Sequence, residues 1–146
     1  MYPEEAVEIL LVEDNEAHAE IVLEALEEHR ILNRTHHVSD GALALDYLFG
    51  RGEYAEDREH PRPHVILLDL RLPKVDGLEV LKSIKETEDL KDIPVIVLTS
   101  SEAEKDMAKA YAYRANSYIT KPVDFDKFLE LMDYLGFYWL CLNKTI

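Results

Sequence analysis

The chain contains little of several things that define whole classes of protein. Its 146 residues include a single cysteine, Cys141, so no internal disulfide can form, which favours a reducing compartment such as the cytoplasm. No apolar run approaches membrane-spanning length, and the first residues lack the basic stretch of a secretory signal. Internal repeats and low-complexity stretches are absent too. We therefore expect a cytoplasmic protein made of one domain.

Basic residues are also scarce relative to acidic ones. Lysine and arginine number 16 against 30 aspartates and glutamates, which gives a formal net charge of -14 at pH 7. Nucleic-acid binding relies on a basic face that neutralises phosphates, and no long basic patch stands out in the sequence. The composition therefore argues against a nucleic-acid partner. Hydrophobic residues at 47% and charged residues at 32% are typical of an ordinary folded domain.

What the sequence does have is a regular alternation of short apolar runs and segments with helical periodicity. The apolar runs predict strands at residues 7–12, 65–68, 95–98 and 117–119, and residues 35–39 are interpreted as a short second strand. The helical segments lie at residues 17–28, 42–49, 78–85, 101–111 and 125–135. This βα alternation predicts a doubly wound α/β fold, a parallel sheet with helices on both faces. The near-continuous apolar character of strands such as 65–68 and 95–98 agrees with this, because a strand covered on both sides has no polar face.

Polar side chains follow four of these strands where each strand ends. In chain order they are Glu13-Asp14-Asn15, Asp69, Thr99-Ser100-Ser101 and Thr120-Lys121-Pro122. In a doubly wound sheet, ligands bind beyond the carboxyl ends of the strands. Carboxylates gathered there repel one another, and a divalent cation such as Mg²⁺, together with Lys121, relieves that repulsion. The sequence therefore predicts a metal site at which Asp69 can act as a nucleophile.

Four segments carry a resemblance to a known family. They are LLVEDN at 10–15, ILLDLRLPKVDG at 66–77, VIVLTSS at 95–101 and SYITKP at 117–122. Thr99 follows Asp69 by 30 residues, and Lys121 follows Thr99 by 22. With these motifs and spacings, the chain resembles the receiver domain of two-component response regulators over residues 7–135. The resemblance implies a flavodoxin-like (βα)5 fold with strand order 2-1-3-4-5 and one receiver domain at 1–146.

The resemblance also implies a phosphoacceptor and a metal. Asp69 corresponds to the residue that takes a phosphoryl group from a sensor histidine kinase and becomes an aspartyl phosphate. The implied cofactor is Mg²⁺, held by Asp69, by Asp14 directly and by Glu13 through water. The backbone carbonyl of Arg71 completes the implied protein ligands. The chain is then a signalling receiver that catalyses only its own phosphorylation and dephosphorylation.

Three further residues receive roles from the same resemblance. Lys121 is expected to pair with Asp69 and later with a phosphoryl oxygen. Thr99 is expected to hydrogen-bond the phosphoryl group, and Tyr118 corresponds to the aromatic residue of the switch. The implied output is a reshaped surface formed by the fourth helix, the fifth strand and the fifth helix.

Two segments extend beyond a minimal receiver. The charged segment 50–64 is long for a connection in this fold, and it is interpreted either as a solvated excursion or as a partner-specific contact. The aromatic C-terminal extension at 136–146 either folds back on the core or forms an interface. The stretches LDYLFGRGEYA and YWLCLN are similar to stand-alone receivers that pair with phytochrome-like histidine kinases. That similarity implies homodimers formed through the fourth helix, fifth strand and fifth helix.

Other interpretations stay open at this point. A phosphorelay intermediate, or a receiver-like interaction module that works without phosphate, has the same motifs. A haloacid-dehalogenase-type phosphatase also uses an aspartate and Mg²⁺, but it expects a second aspartate where this chain has Arg71. A flavin-binding electron carrier shares the fold, but its phosphate loop is rich in serine, threonine and glycine, whereas this chain has Glu13-Asp14-Asn15.

Some polar pairs have a simpler structural interpretation. Asp76-Gly77 is predicted to form a turn and cap at the start of the third helix, and Asp40-Gly41 is predicted to form a turn. His36 and His37 are neighbours on a predicted strand, so their side chains point to opposite faces. We therefore expect no histidine metal site there.

Overall fold

The structure of the protein is a computed structural model that describes residues 7–27, 33–55, 60–100, 115, 117–121, 126 and 130. The strands are β1 (Val7–Val12), β2 (Asn33–Val38), β3 (Val65–Asp69), β4 (Val95–Ser100) and β5 (Ser117–Lys121). The helices are α1 (Glu16–Glu27), α2 (Gly41–Phe49) and α3 (Gly77–Glu86), and a 3-10 helix, Gly52–Tyr54, follows α2. In these ranges, no helix combines the length and the apolar character needed to cross a bilayer.

The strands form one parallel sheet with the order β2-β1-β3-β4-β5. This is the order that the resemblance implied, and the predicted α/β fold is confirmed. Every residue of β1 and of β3 is buried, because helices cover both faces of these central strands. Parallel pairing also places the carboxyl ends of all five strands at one edge of the sheet. The polar residues that follow four of the strands in the sequence lie at this edge.

Alternate residues of the central strands belong to two separate apolar clusters. Leu10 and Val12 pack in a cluster with buried residues of α2 and α3. Ile9 and Leu11 pack in a second cluster with the buried face of α1. Side chains on a strand alternate between its faces, so each cluster is the core on one side of the sheet.

The predicted elements differ from the observed ones mainly at their ends. The third strand continues to Asp69, so this carboxylate is part of the sheet instead of following it. The fourth and fifth strands also run two residues longer than predicted, to Ser100 and Lys121. The predicted helix at 101–111 and the aromatic extension at 136–146 lie outside the described residues, as does most of the predicted helix at 125–135.

One buried acidic residue lies outside the polar edge, on β1. Glu8 is 7% exposed, and its carboxylate meets Arg34 at 2.8 Å and the Nε2 atom of His36 at 2.9 Å. Both partners lie on β2, so this network joins the two strands through their side chains as well as through the backbone. A buried carboxylate is tolerated when it is paired in this way.

Segment 50–64 is attached to the core through Tyr47 of α2. Gly50 ends the helix with φ 64, a left-handed conformation that favours glycine. The ring of Tyr54 lies edge-on to Tyr47 at 5.1 Å between centroids, and the ring of His60 lies 6.3 Å from it. The Tyr47 hydroxyl donates a hydrogen bond to the Pro61 carbonyl oxygen at 2.9 Å. The segment is thus exposed at Arg51, Gly52 and Glu53, as expected of a solvated excursion, and is in contact with Tyr47 at its Tyr54, His60 and Pro61 groups.

Thr35 on β2 supports a prediction about stability. Its Oγ1 atom is buried and, within the described part of the chain, makes no hydrogen bond. A buried hydroxyl without a partner costs about 1–3 kcal/mol, and valine keeps the β-branched shape, so Thr35→Val should raise the free energy of unfolding by about 1 kcal/mol. Urea denaturation followed by circular dichroism measures the change. Thr35→Ser, which keeps the hydroxyl and loses a methyl group, is the control expected to be destabilised; a destabilised Thr35→Val would contradict the prediction.

Candidate functional site

The carboxyl ends of β1 and β3 bring three acidic side chains together. Glu13 and Asp14 come directly after β1, and Asp69 is the last residue of β3. The two strands are neighbours in the sheet, with Val12 paired to Leu68, so their ends lie side by side. One carboxylate oxygen from each acidic residue lies within 4.8 Å of the other two. We call Glu13, Asp14 and Asp69 the acidic cluster.

Two members of the acidic cluster are buried and one is exposed. Glu13 is 0% exposed and Asp69 is 5% exposed, whereas Asp14 lies open to solvent. The backbone N–H of Asn15 donates to Oε2 of Glu13 at 3.2 Å, and the N–H of Arg71 donates to Oδ1 of Asp69 at 3.1 Å. These donors stabilise the negative charge of the buried carboxylates, while Asp14 keeps the cluster accessible from outside.

Two histidines that were not predicted to belong to the site lie beside Glu13. The Nε2 atom of His37 is 2.8 Å from the Glu13 carbonyl oxygen, which can only accept, so Nε2 carries the proton. The Nδ1 atom of His18 lies 4.0 Å from Oε2 of Glu13. His18 also donates its backbone N–H to Oδ1 of Asn15 at 3.0 Å, so Asn15 caps the start of α1. His37 belongs to another strand, and no local pattern reveals such a contact.

The loop between β3 and α3 fits tightly against the phosphoacceptor candidate. A Cβ atom on Gly77 would lie 2.3 Å from the carbonyl oxygen of Asp69 and 2.5 Å from Cα of Leu70, so only glycine fits there. Oδ1 of Asp76 accepts a hydrogen bond from the backbone N–H of Leu78 at 3.3 Å. The predicted cap at the start of this helix is therefore confirmed.

The ends of β4 and β5 lie at the same edge of the sheet. Asp69 pairs with Leu98, so Thr99 comes one residue beyond the partner of Asp69, and Lys121 is the last residue of β5. The side chains of Thr99, Tyr118 and Lys121 lie outside the described part of the structure. Their strand positions agree with the predicted site, and their individual roles stay predictions.

The donor atoms of the acidic cluster fit a divalent cation. All three are carboxylate oxygens, the ligands that Mg²⁺ and Mn²⁺ prefer, and three like charges within 4.8 Å repel one another unless a cation lies between them. Mg²⁺ usually binds one or two protein carboxylates and keeps waters in its other positions. The exposed Asp14 leaves room for those waters and for phosphate oxygens.

Comparison with known proteins agrees with this geometry. Residues 9–133 match the family model of the response regulator receiver domain. The chain belongs to this family. This receiver is 44% identical over 137 residues to the probable methanogenesis regulatory protein FilR2 of Methanothrix harundinacea, covering 94% of this chain and 86% of FilR2. It is 42% identical over 132 residues to response regulator Rcp1 of Synechocystis sp., covering 90% of this chain and 88% of Rcp1.

Solved receivers resemble this one along most of its length. The phosphorylated cyanobacterial phytochrome response regulator RcpA is similar with a TM-score of 0.79 and 40% identity, over 93% of this chain and 95% of RcpA. The Mn²⁺-bound form of Rcp1 is similar with a TM-score of 0.77 and 42% identity, over 91% of this chain and 94% of Rcp1. One relative has thus been solved in a phosphorylated form and another with a divalent metal.

Proposed function

We propose that this receiver accepts a phosphoryl group on Asp69 from the phosphohistidine of a sensor histidine kinase, in a Mg²⁺-dependent reaction. The observation that carries the proposal is the acidic cluster, whose carboxylate oxygens lie within 4.8 Å of one another at the carboxyl edge of the sheet. The phosphorylated relative RcpA and the Mn²⁺-bound relative Rcp1 support it. The chain is then a signalling module whose only catalysis acts on its own aspartate.

In the proposed phosphoryl transfer, the protein mainly positions the reacting groups and neutralises charge. An oxygen of Asp69 bonds to phosphorus, while the P–N bond of the donor breaks and its electron pair stays on the imidazole nitrogen. Asp14 and Asp69, Glu13 through water, and the backbone carbonyl of Arg71 are the proposed ligands of Mg²⁺. The ion, when bound, supplies positive charge next to the phosphoryl oxygens, the neutralisation that phosphoryl transfer needs. Water later hydrolyses the acyl phosphate and restores the carboxylate, so the signal is temporary.

Further parts of the proposal rest on the family resemblance. Lys121 pairs with Asp69 and then with a phosphoryl oxygen, and the hydroxyl of Thr99 donates a hydrogen bond to the phosphoryl group. Tyr118 moves into the space that Thr99 leaves and changes the surface of the fourth helix, β5 and the fifth helix. We propose that this surface forms a homodimer, and that one cytoplasmic receiver domain spans 1–146 with its core at 7–135.

The similarity to RcpA bears on the identity of the donor. RcpA is a phytochrome response regulator, and 95% of its chain is covered by the match. We therefore propose a phytochrome-like histidine kinase as the donor. A phosphorelay protein or another sensor kinase uses the same phosphohistidine chemistry, so the cluster itself does not select among these donors.

Small-molecule phosphorylation tests the core of the proposal. With acetyl phosphate and Mg²⁺, the intact protein should gain about 80 Da, the mass of one phosphoryl group. The adduct should be absent when EDTA removes the metal, because the charge of the transferred group is then not neutralised. Intact-mass spectrometry measures both states. A chain that gains no mass with Mg²⁺ would instead be an interaction module that works without phosphorylation.

A further inference from the structure

The loop between β3 and α3 rests on the start of α2 as well as on its own strand. The backbone N–H of Gly41 donates to the carbonyl oxygen of Pro73 at 3.4 Å. A Cβ atom on Gly41 would lie 1.8 Å from the Val75 carbonyl oxygen and 2.7 Å from its carbonyl carbon. These are backbone atoms, so no side-chain rotation relieves the clash. The loop can occupy this position only while residue 41 has no side chain.

The conformation of this loop is imposed by its surroundings. Lys74 has φ 67, in the left-handed region that residues with a side chain rarely adopt. Its Nζ atom lies 3.7 Å from Oδ2 of Asp40, which is 6% exposed. Oδ1 of the same carboxylate caps α2 by accepting from the backbone N–H of Leu43 at 2.7 Å. A single aspartate therefore fixes the start of α2 and faces the strained residue of the loop.

The segment held in this way includes the proposed metal ligand. At one end, the Val75 side chain packs against the core cluster formed with α2 and α3. At the other end, the carbonyl oxygen of Leu70 accepts a hydrogen bond from the N–H of Gly77 at 3.1 Å. Arg71 lies between Leu70 and Val75 and donates its own N–H to Oδ1 of Asp69. The position of the Arg71 backbone relative to the acidic cluster thus depends on how the loop sits on α2.

We propose that Gly41 is a positioning residue for the metal and phosphoryl site. Because Gly41 has no side chain, the β3–α3 loop can lie against the start of α2. This contact holds the backbone of Arg71 at the acidic cluster. The inference rests on the proposed function, because Arg71 matters only if its carbonyl binds the metal. Gly41 is not a proposed ligand of the metal or of the phosphoryl group. The Asp40-Gly41 pair, which the sequence indicated only as a turn, is the part of α2 that contacts this loop.

A glycine at the other end of α2 provides a matched control. Gly50 has φ 64, and a Cβ atom there would lie 2.6 Å from the His60 ring, so Gly50→Ala also strains α2. It leaves the β3–α3 loop untouched. Titration calorimetry of the full chain with Mg²⁺, below the unfolding temperature of each variant, should give a Kd about tenfold higher for Gly41→Ala and within about twofold of wild type for Gly50→Ala. Phosphorylation of Gly41→Ala by acetyl phosphate should need correspondingly more Mg²⁺.

A second pair of variants tests the same loop without changing α2. Lys74→Gln removes one positive charge, which by itself should tighten cation binding. Lys74→Val removes the same charge, and a β-branched residue is strongly disfavoured at φ 67, so this variant should shift the loop and bind Mg²⁺ about threefold more weakly than Lys74→Gln. This pair decides the question if Gly41→Ala does not fold.

The outcomes separate this inference from the proposed function. Equal Mg²⁺ affinities for folded Gly41→Ala and Gly50→Ala would overturn the inference while wild type still binds the metal and gains a phosphoryl group. Equal affinities for the two Lys74 variants would overturn it in the same way. A wild-type chain that binds no Mg²⁺ would overturn both proposals.

Discussion

Replacing Asp69 by asparagine is expected to abolish the phosphorylated form and to stabilise the protein when Mg²⁺ is absent. The amide is no nucleophile toward phosphorus, so acetyl phosphate with Mg²⁺ should leave the mass unchanged. The same change removes one of three negative charges within 4.8 Å, two of them buried. We expect the free energy of unfolding in EDTA to rise by about 1 kcal/mol, since each pair of charges at such a distance repels by about this much or more.

Two variants separate these effects. Asp14→Asn removes a charge from the same cluster and keeps Asp69, so it should be stabilised in EDTA but should bind Mg²⁺ far more weakly. Asp92→Asn changes an exposed residue in the turn before β4, at the opposite end of that strand from the cluster, and should match wild type in both assays. Intact-mass spectrometry and thermal unfolding in EDTA are the measurements. A phosphoryl adduct on Asp69→Asn would rule out Asp69 as the acceptor, and a loss of stability would contradict the repulsion argument.

The acidic cluster could be predicted because it depends on features that are local in the sequence. A strand buried on both faces is visible as an apolar run, and the residues that follow it mark its carboxyl end. Once the strands are parallel, those ends must share one edge, whatever the details of packing. Glu13, Asp14 and Asp69 are accordingly found together. Only the assignment of Asp69 to the strand itself differed from prediction.

The contacts that surround the cluster could not be predicted in this way. His37 meets the Glu13 carbonyl, and Gly41 lies against Val75, but each pair joins elements that are far apart in the sequence. Helical or strand periodicity reports which face of one element is buried, not which backbone atoms of another element come close to it. The residue at position 41 therefore looked like an ordinary turn glycine.

The contacts between segment 50–64 and the core could not be predicted for a related reason. Its charges and prolines indicate exposure, and Arg51, Gly52 and Glu53 are indeed exposed. The rings of Tyr54 and His60 and the Pro61 carbonyl all contact one side chain of α2, and His64, at the end of the segment, is hydrogen-bonded to the backbone of Glu8. Tyr47, which is 1% exposed, is thus the residue of α2 that holds the middle of this segment against the fold.

Tyr47→Ala should therefore be one of the most destabilising single changes in the described part of the chain. Its ring also lies 5.5 Å from that of His36 on β2, so truncation leaves a cavity bounded by helix, strand and segment. Removing a buried aromatic ring costs about 3–5 kcal/mol, and we expect a loss in this range in urea denaturation. Residues 54–61 should at the same time exchange their amide hydrogens faster, because their contacts with the Tyr47 side chain are gone.

Tyr47→Phe is the matched variant, since it keeps the ring and removes only the hydrogen bond to Pro61. It should lose about 1 kcal/mol and leave amide exchange in segment 50–64 close to that of wild type. If the two variants were equally stable, the segment would be held by the hydroxyl or by other contacts, and the ring would not be its anchor. Tyr47 lies near the end of α2 and contacts this segment just before β3 begins, away from the carboxyl edge of the sheet. Tyr47→Phe should therefore still gain the phosphoryl group, which separates the attachment of the segment from the chemistry of the site.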